Sequence, residues 1–261
     1  MRSSPASLSR RVVLITGGAR GIGAALARRL ARDGAHVVLA GRSVEEPSSR
    51  KLEGTLVGTA RSIAAEGGVA FVRPLDVTDA RAVRREVEAV AREHGGLDVL
   101  VNNASAVDPR RKPTQESIDR MHSTNARATL ACNSAAAPHL SRSGGQILTF
   151  SPPLSGMEEW LSHMPAYAMS KYGMTMATLA FSSPSLRANT LWPRKTVRTA
   201  ATRMLEDATG VPYHTKGRSA DYFAEAARDL LLLPNATGRC FLDEDVLPHA
   251  EDDAPLDAFA K

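Results

Sequence analysis

A doubly wound α/β fold, a parallel sheet with helices on both faces, is predicted by three features of this 261-residue sequence. Short apolar runs alternate along the chain with amphipathic stretches of helical period. The runs are continuously apolar, the pattern of strands covered on both sides. A glycine-rich turn joins the first run to the first amphipathic stretch, where such sheets pass from strand to helix.

The elements follow in order. Residues 12–15, Val-Val-Leu-Ile, read as a buried strand, and Gly21–Arg32 as a helix with Ile22, Leu26 and Leu30 on one face. Residues 36–40 form the second strand. A polar stretch over 43–54, with Pro47 and paired serines, leads into a helix through Ile63. Residues 69–75 are the third strand, Ala80–Glu93 a helix and 97–101 the fourth strand. A long helical segment from about Glu116 to Leu140 precedes the fifth strand, Gln146–Phe150. A helix after Pro165, a strand near 186–191, a last helix over 220–233 and a closing strand at 239–242 complete the pattern. Strands separated by helical crossovers pair in parallel. One domain is expected over residues 11–245, between loose ends at 1–10 and 246–261.

Composition narrows the partners. The net charge is +5, but the arginines are dispersed among acids, and Arg and Glu alternate over 81–93 as on a solvated helix face. Aromatic content is 5%, with no basic patch interleaved by aromatics, which argues against nucleic acid. Cys132 and Cys240 lie far apart without histidines at metal-ligand spacing, so neither a disulfide framework nor a metal site is expected. That usage fits a reducing, cytoplasmic compartment. No apolar run reaches the roughly 18 residues of a spanning helix, and the polar first residues lack the apolar core of a signal peptide.

Thr16-Gly17-Gly18-Ala19-Arg20-Gly21-Ile22-Gly23 lies between the first strand and the first helix. Glycines there permit a tight turn and close approach of backbone to a pyrophosphate, and the helix N-terminus offers unpaired N–H groups. An acid at the end of the second strand would take a ribose 2′-hydroxyl, whereas a basic group takes a 2′-phosphate. Here Leu39-Ala40-Gly41-Arg42 carries no acid, and Arg20 sits in the loop, which favours NADP(H) over NAD(H). The plainer alternative makes Arg42 a surface residue. Asp76, before Val77, either accepts from an adenine amino group or caps the next turn. Asn102-Asn103-Ala104 closes the fourth strand either as a ligand contact or as an ordinary turn.

Tyr167 and Lys171 are four residues apart, on one face of the helix after Pro165. A free phenol ionises near pH 10, so a neighbouring cation that lowers this value brings Tyr167 closer to acid/base work. Ser151 ends the fifth strand, either as a hydrogen-bonding partner of a substrate oxygen or as a strand terminator. Asn125, inside the long helix, either holds a proton-relaying water or kinks the helix.

These residues, in this order, resemble the short-chain dehydrogenase/reductase family over nearly the whole chain. The resemblance implies a Rossmann fold and a catalytic tetrad of Asn125, Ser151, Tyr167 and Lys171. It implies that Tyr167 transfers the proton, Ser151 steadies the substrate oxygen, Asn125 maintains the relay and Lys171 grips the nicotinamide ribose. The cofactor contacts implied are Gly17, Gly18, Ala19, Arg20, Gly21, Ile22, Gly23, Arg42, Asp76, Val77, Asn103, Ala104, Tyr167, Lys171 and Pro193. Lys51-Leu52-Glu53-Gly54-Thr55, Asn103-Ala104-Ser105, Ser151-Pro152-Pro153-Leu154, Lys171-Tyr172-Gly173-Met174 and Leu191-Trp192-Pro193-Arg194 look like the hydroxysteroid dehydrogenase-like branch. The implied activity is hydride transfer between NADP(H) and a small hydrophobic carbonyl or alcohol, in a homodimer or homotetramer. The alternative is a cofactor-binding scaffold or redox sensor with little turnover.

Three departures stand out. Ser105 and Arg194 occupy positions where the family usually has glycine, and residues 182–185 are shorter than usual and lack an acidic helix end. Leu154, Met157, Trp160, Leu161 and Met164 would line an apolar pocket or pack as core. Residues 196–217 are expected to form a lid, by analogy with the family.

Overall fold

The computed structural model describes residues 7–46, 52–155 and 163–247. Met157, Trp160, Leu161, Lys51, Pro47 and the outermost ends of the chain fall outside these residues. Seven strands form a sheet flanked by helices: β1 (Val12–Thr16), β2 (His36–Gly41), β3 (Val69–Pro74), β4 (Val99–Asn102), β5 (Gln146–Phe150), β6 (Arg187–Trp192) and β7 (Cys240–Leu242). Their order is β3-β2-β1-β4-β5-β6-β7. The pairs β1–β2, β2–β3, β4–β5 and β5–β6 are parallel, as the crossovers require. The chain divides into two compact units, one of residues 1–74, 193–235 and 242–261, the other of 75–192 and 236–241.

The first unit holds β1–β3 with α1 (Gly21–Arg32), α2 (Leu56–Ala65), α7 (Ala200–Thr209), α8 (Ala220–Leu232) and α9 (Asp243–Val246). Every residue of β1 is buried, whereas β3 ends the sheet and leaves Val69 and Phe71 exposed. The continuous apolar pattern therefore overstated the cover on this edge strand. α1 buries Ala25, Leu26 and Leu30 along one stripe. Against it α8 places Glu225, whose carboxylate takes a buried ion pair from the Arg29 guanidinium. Asp33 links Arg29 (2.5 Å) to Arg228 (2.7 Å), so neither buried charge is left uncompensated.

The second unit holds β4–β7 with α3 (Ala80–Glu93), α4 (Gln115–His122), α5 (Ala128–Ser143) and α6 (Pro165–Leu179). α3 starts where Asp79 accepts from the Arg81 and Ala82 amides, and it buries Val83, Val87 and Val90. The long helix expected here is three pieces in one run: α4, a π turn over Ser123–Arg127, and α5. α5 ends at Gly144, whose φ of 64° is the left-handed cap that favours glycine. At the next residue a Cβ would lie 2.4 Å from the Asp98 carbonyl oxygen. Gly145→Ala is accordingly expected to lower stability by about 1–3 kcal/mol through overpacking, read as a lowered urea midpoint at unchanged m-value.

α6 opens with Pro165 in its first turn, where a missing N–H costs nothing. The segment expected to form a lid contains a defined helix, α7. Thr199 caps it in a reciprocal box with Thr202, and Gly210 (φ 71°) ends it. Among the described residues no helix is long and apolar enough to cross a membrane.

Candidate functional site

In the first unit β1 delivers Thr16 to a turn at Gly17 (φ 71°), whose amide donates to the Ala40 carbonyl at 2.7 Å. A Cβ on Gly18 would stand 2.8 Å from Leu39 Cδ2, so the missing side chain lets the loop lie against β2. Arg20 precedes α1 in extended conformation and makes no capping hydrogen bond with its side chain. The first N–H groups of α1 are thus not covered by an N-cap side chain, the arrangement that suits an anion.

The Arg20 guanidinium instead donates to the Leu52 carbonyl and to Ser43 Oγ, both at 2.5 Å. Burial, followed by the nearby Arg42 guanidinium, pulls its pKa below the usual value. Two cations held close at the end of β2 repel each other, and an anion beside them would relieve that repulsion. An open cleft is lined by Arg20, Gly21, Arg28, Thr55 and Thr59. The loop, the bare helix end and the two guanidiniums fit the phosphates of a dinucleotide.

Pro193, also in this unit, follows β6. Arg194 after it donates its amide to Asp243 Oδ1 at 2.8 Å and pairs with Glu244. Asp243 is fully buried and bonds Arg218 at 3.0 Å. α9 thereby anchors the backbone at the position where a glycine is usual.

In the second unit Tyr167, Lys171 and Thr175 share one face of α6. Lys171 is 2% exposed. Its Nζ donates to the Phe150 carbonyl at 2.6 Å, lies 3.3 Å from Met174 Sδ and faces the Trp192 ring at 5.3 Å. Burial pushes its pKa down to about 7. The Tyr167 phenol is pushed up to about 12 by burial, against a hydrogen bond with the Ser105 side chain that favours the ionised form. The sequence suggested a phenol lowered by its lysine neighbour. In the structure desolvation outweighs that effect, and the ammonium spends a hydrogen bond on Phe150.

Asn125 sits at the centre of the π turn, wholly buried. Its Oδ1 accepts from the Ala106 amide at 2.8 Å, and its Nδ2 donates to the Ala106 carbonyl (2.9 Å) and Ser170 Oγ (2.8 Å). Ser170 in turn donates to the Tyr167 carbonyl at 2.7 Å, so Asn125 ties the loop after β4 to α6. Ser151 is also wholly buried, with Thr175 Oγ1 at 2.9 Å from its hydroxyl. Asp76 is exposed, and its Oδ1 accepts from both the amide (2.9 Å) and the hydroxyl (2.8 Å) of Thr78. The cap of α3 is Asp79. Val77 is buried, and Asn103 and Ala104 are half-buried at the end of β4. Neighbouring Asn102 serves the core, donating to Asn133 Oδ1 and Thr149 Oγ1. The second unit thus brings together Asn125, Ser151, Tyr167 and Lys171 with Ser105, marked in the sequence only as a replaced glycine, and with two residues not singled out there, Ser170 and Thr175. Thr175 was within reach of the spacing, since it extends the Tyr167–Lys171 face by one more turn.

The short chain dehydrogenase family profile matches residues 11–191. The chain belongs to this family. It is 37% identical over 243 residues to hydroxysteroid dehydrogenase-like protein 2 of Mus musculus, a match that covers 90% of this chain and 48% of that one. The Homo sapiens protein of the same name is 36% identical, with 90% and 57% covered. This short-chain dehydrogenase therefore spans about half the length of these curated relatives. A solved short chain dehydrogenase from Mycobacterium thermoresistibile is 37% identical, with a TM-score of 0.81 and 93% and 88% of the two chains covered. A solved structure from Xanthomonas campestris is 35% identical, with a TM-score of 0.84 and 95% and 92% covered.

Proposed function

We propose that this short-chain dehydrogenase is an NADP(H)-dependent oxidoreductase that interconverts a carbonyl and a secondary alcohol on a small hydrophobic substrate. The observation that carries the reading is the pairing on α6 of half-buried Tyr167 with buried Lys171, locked to the loop after β4 through Asn125 and Ser170. NADP(H), when bound, supplies or takes the hydride. Gly17, Gly18, Ala19, Gly21, Ile22 and Gly23 would hold its pyrophosphate, and Arg20 and Arg42 its 2′-phosphate. Asp76, Val77, Asn103, Ala104 and Pro193 would flank the rest of it.

Tyr167 Oη gives its proton to the carbonyl oxygen in reduction and takes it back in oxidation. Lys171, titrating near neutrality, is placed to exchange protons without a large free-energy gap. Leu154 is 56% exposed three residues beyond Ser151, and it supports an apolar substrate. Leu130, Met169 and Met176, exposed on α5 and α6, support a homodimer or homotetramer. The free thiols of Cys132 and Cys240 support a reducing, cytoplasmic setting.

Titration of purified protein with NADPH and with NADH, followed by nucleotide fluorescence, tests the cofactor assignment. Arg42→Ala is expected to weaken NADPH about 10- to 100-fold, the range for a lost charge-assisted hydrogen bond, and to leave NADH within about twofold. Equal losses for the two nucleotides would remove Arg42 from the 2′-phosphate.

A further inference from the structure

We infer that Asp108, in the loop after β4, is a positioning residue for the proposed reaction: by gripping Ser117 of α4 it fixes the stretch of loop that Asn125 ties to α6. The inference rests on Tyr167 being the acid/base of that reaction.

Burial singles Asp108 out. Its side chain is 5% exposed, although Arg110, Arg111 and Lys112 just beyond it are all exposed. A buried carboxylate is costly unless it is both paired and hydrogen-bonded. Asp108 Oδ1 accepts from the Arg110 amide at 3.0 Å and from Arg110 Nε at 2.9 Å. Oδ2 accepts from Arg110 Nη2 at 2.5 Å and from Ser117 Oγ at 2.6 Å. The Arg110 guanidinium, ahead of the other partners, holds the carboxyl well below the usual carboxylate range, so the grip is charged at neutral pH. A free-standing turn would need Arg110 alone. Ser117 is the partner that takes the grip out of the loop and onto a helix, and its oxygen also accepts from Arg120 Nη2 at 3.1 Å.

From Ser117 the chain runs along α4 into the π turn, where Asn125 holds Ala106 by both amide and carbonyl. The two holds are nested. Asp108–Ser117 closes a separation of 9 residues, and Ala106–Asn125 closes one of 19 around it. With the inner hold shut, about ten residues remain to be ordered before the outer one shuts, an entropy saving worth roughly threefold in population. Asn125 passes the position on, since its Nδ2 donates to Ser170 Oγ and Ser170 donates to the Tyr167 carbonyl. Asp108 thus acts through Ala106 and Asn125, on the spacing between the loop and the helix that carries Tyr167 and Lys171.

Amide exchange of the nucleotide-free full chain, followed residue by residue by NMR, reads this coupling without turnover. Ser117→Ala cuts the tie to α4 and leaves the Asp108–Arg110 turn whole. It is expected to speed exchange of the Ala106 amide about three- to tenfold. The Gly145 amide, which donates to Leu140 at the end of α5, should stay within about twofold. Asp108→Asn keeps an acceptor for Ser117 but loses the charge, and should fall between wild type and Ser117→Ala. An Ala106 amide unchanged in both variants, or faster exchange confined to Arg110, would show two independent holds and overturn the inference. Turnover of a carbonyl panel with NADPH is the second readout. For Ser117→Ala, kcat is expected to fall about tenfold with KM little changed and NADPH stoichiometry intact, the mark of misplaced groups and not of unfolded enzyme. A kcat within about twofold of wild type, beside faster Ala106 exchange, would end the positioning role. Should the wild type turn over none of the panel while the exchange responds, the proposed reaction is at fault and the hold of Asp108 on Ala106 survives.

Discussion

Tyr167→Phe is expected to lower kcat in either direction by about 10²- to 10⁴-fold, the usual worth of a positioned acid/base. The substitution removes one oxygen from α6 and leaves the ring to fill its place, so NADPH affinity should stay within about threefold. Two measurements check this, single-turnover rates and the fluorescence titration. A variant that keeps its rate would show that the proton comes from elsewhere. The pH dependence carries a sign as well. With the phenol pushed up to about 12, Tyr167 keeps its proton through the neutral range. Carbonyl reduction, which needs that proton, should therefore hold its rate across neutral pH. Alcohol oxidation needs the phenolate, and its rate should climb up to about tenfold per pH unit as the solution becomes alkaline. An oxidation profile that falls with rising pH would contradict the assignment.

Lys171→Met should trade activity for stability. The ammonium is almost wholly buried, and its pKa in the fold is about 7, down from the 10.5 of an exposed lysine. Below about pH 7 both the folded and the unfolded chain carry the proton, and the full penalty of burying it falls on the fold. Between about 7 and 10.5 the unfolded chain binds more protons, so stability rises with pH across this window. Taken at face value the shift is worth on the order of 4–5 kcal/mol. Methionine removes it but leaves the Phe150 carbonyl without its donor, which costs about 1–3 kcal/mol. A net gain of roughly 1–3 kcal/mol near neutral pH is expected, shrinking to nothing or reversing near pH 10. Urea unfolding of wild type and variant at the two pH values measures it. Activity should fall at least about 100-fold. A variant destabilised equally at both pH values would mean that the lysine stem's packing, and not its charge, is what the fold depends on.

The strands and most helices were readable because their signals are local. α1 and α3 fall on the residues that the apolar period marks, and at α3 the Asp79 cap agrees with it. α7 was legible but passed over: Thr199, Thr202 and Gly210 are ordinary start and stop signals inside a stretch taken for a lid. The π turn was not legible. Nothing in Ser-Thr-Asn-Ala-Arg distinguishes it from α-helix, and its cause is tertiary, in the hold of Asn125 on Ala106 and Ser170. Ser105 shows the same limit. In the sequence it registers as a lost glycine, a matter of backbone freedom. Its hydroxyl meets a phenol 62 residues further on, and only folding joins them. The pKa values were out of reach for a related reason, since burial, which the Tyr-Lys spacing does not encode, sets both.

The ion pair between Arg29 and Glu225 has a consequence for the order in which the protein is made. These residues are 196 positions apart. At a translation rate of about 5–20 residues per second, Glu225 follows Arg29 out of the ribosome by roughly 10–40 s. Throughout that interval β1, α1 and β2 exist without α8, and of its two ion-pair partners Arg29 has Asp33 but not Glu225, among the described residues. The nascent first half thus carries an apolar helix face and an incompletely paired charge that the last part of the chain must cover. Ribosome-bound chains stopped before residue 220 should be the most dependent on chaperones, and release of the finished chain should end that dependence.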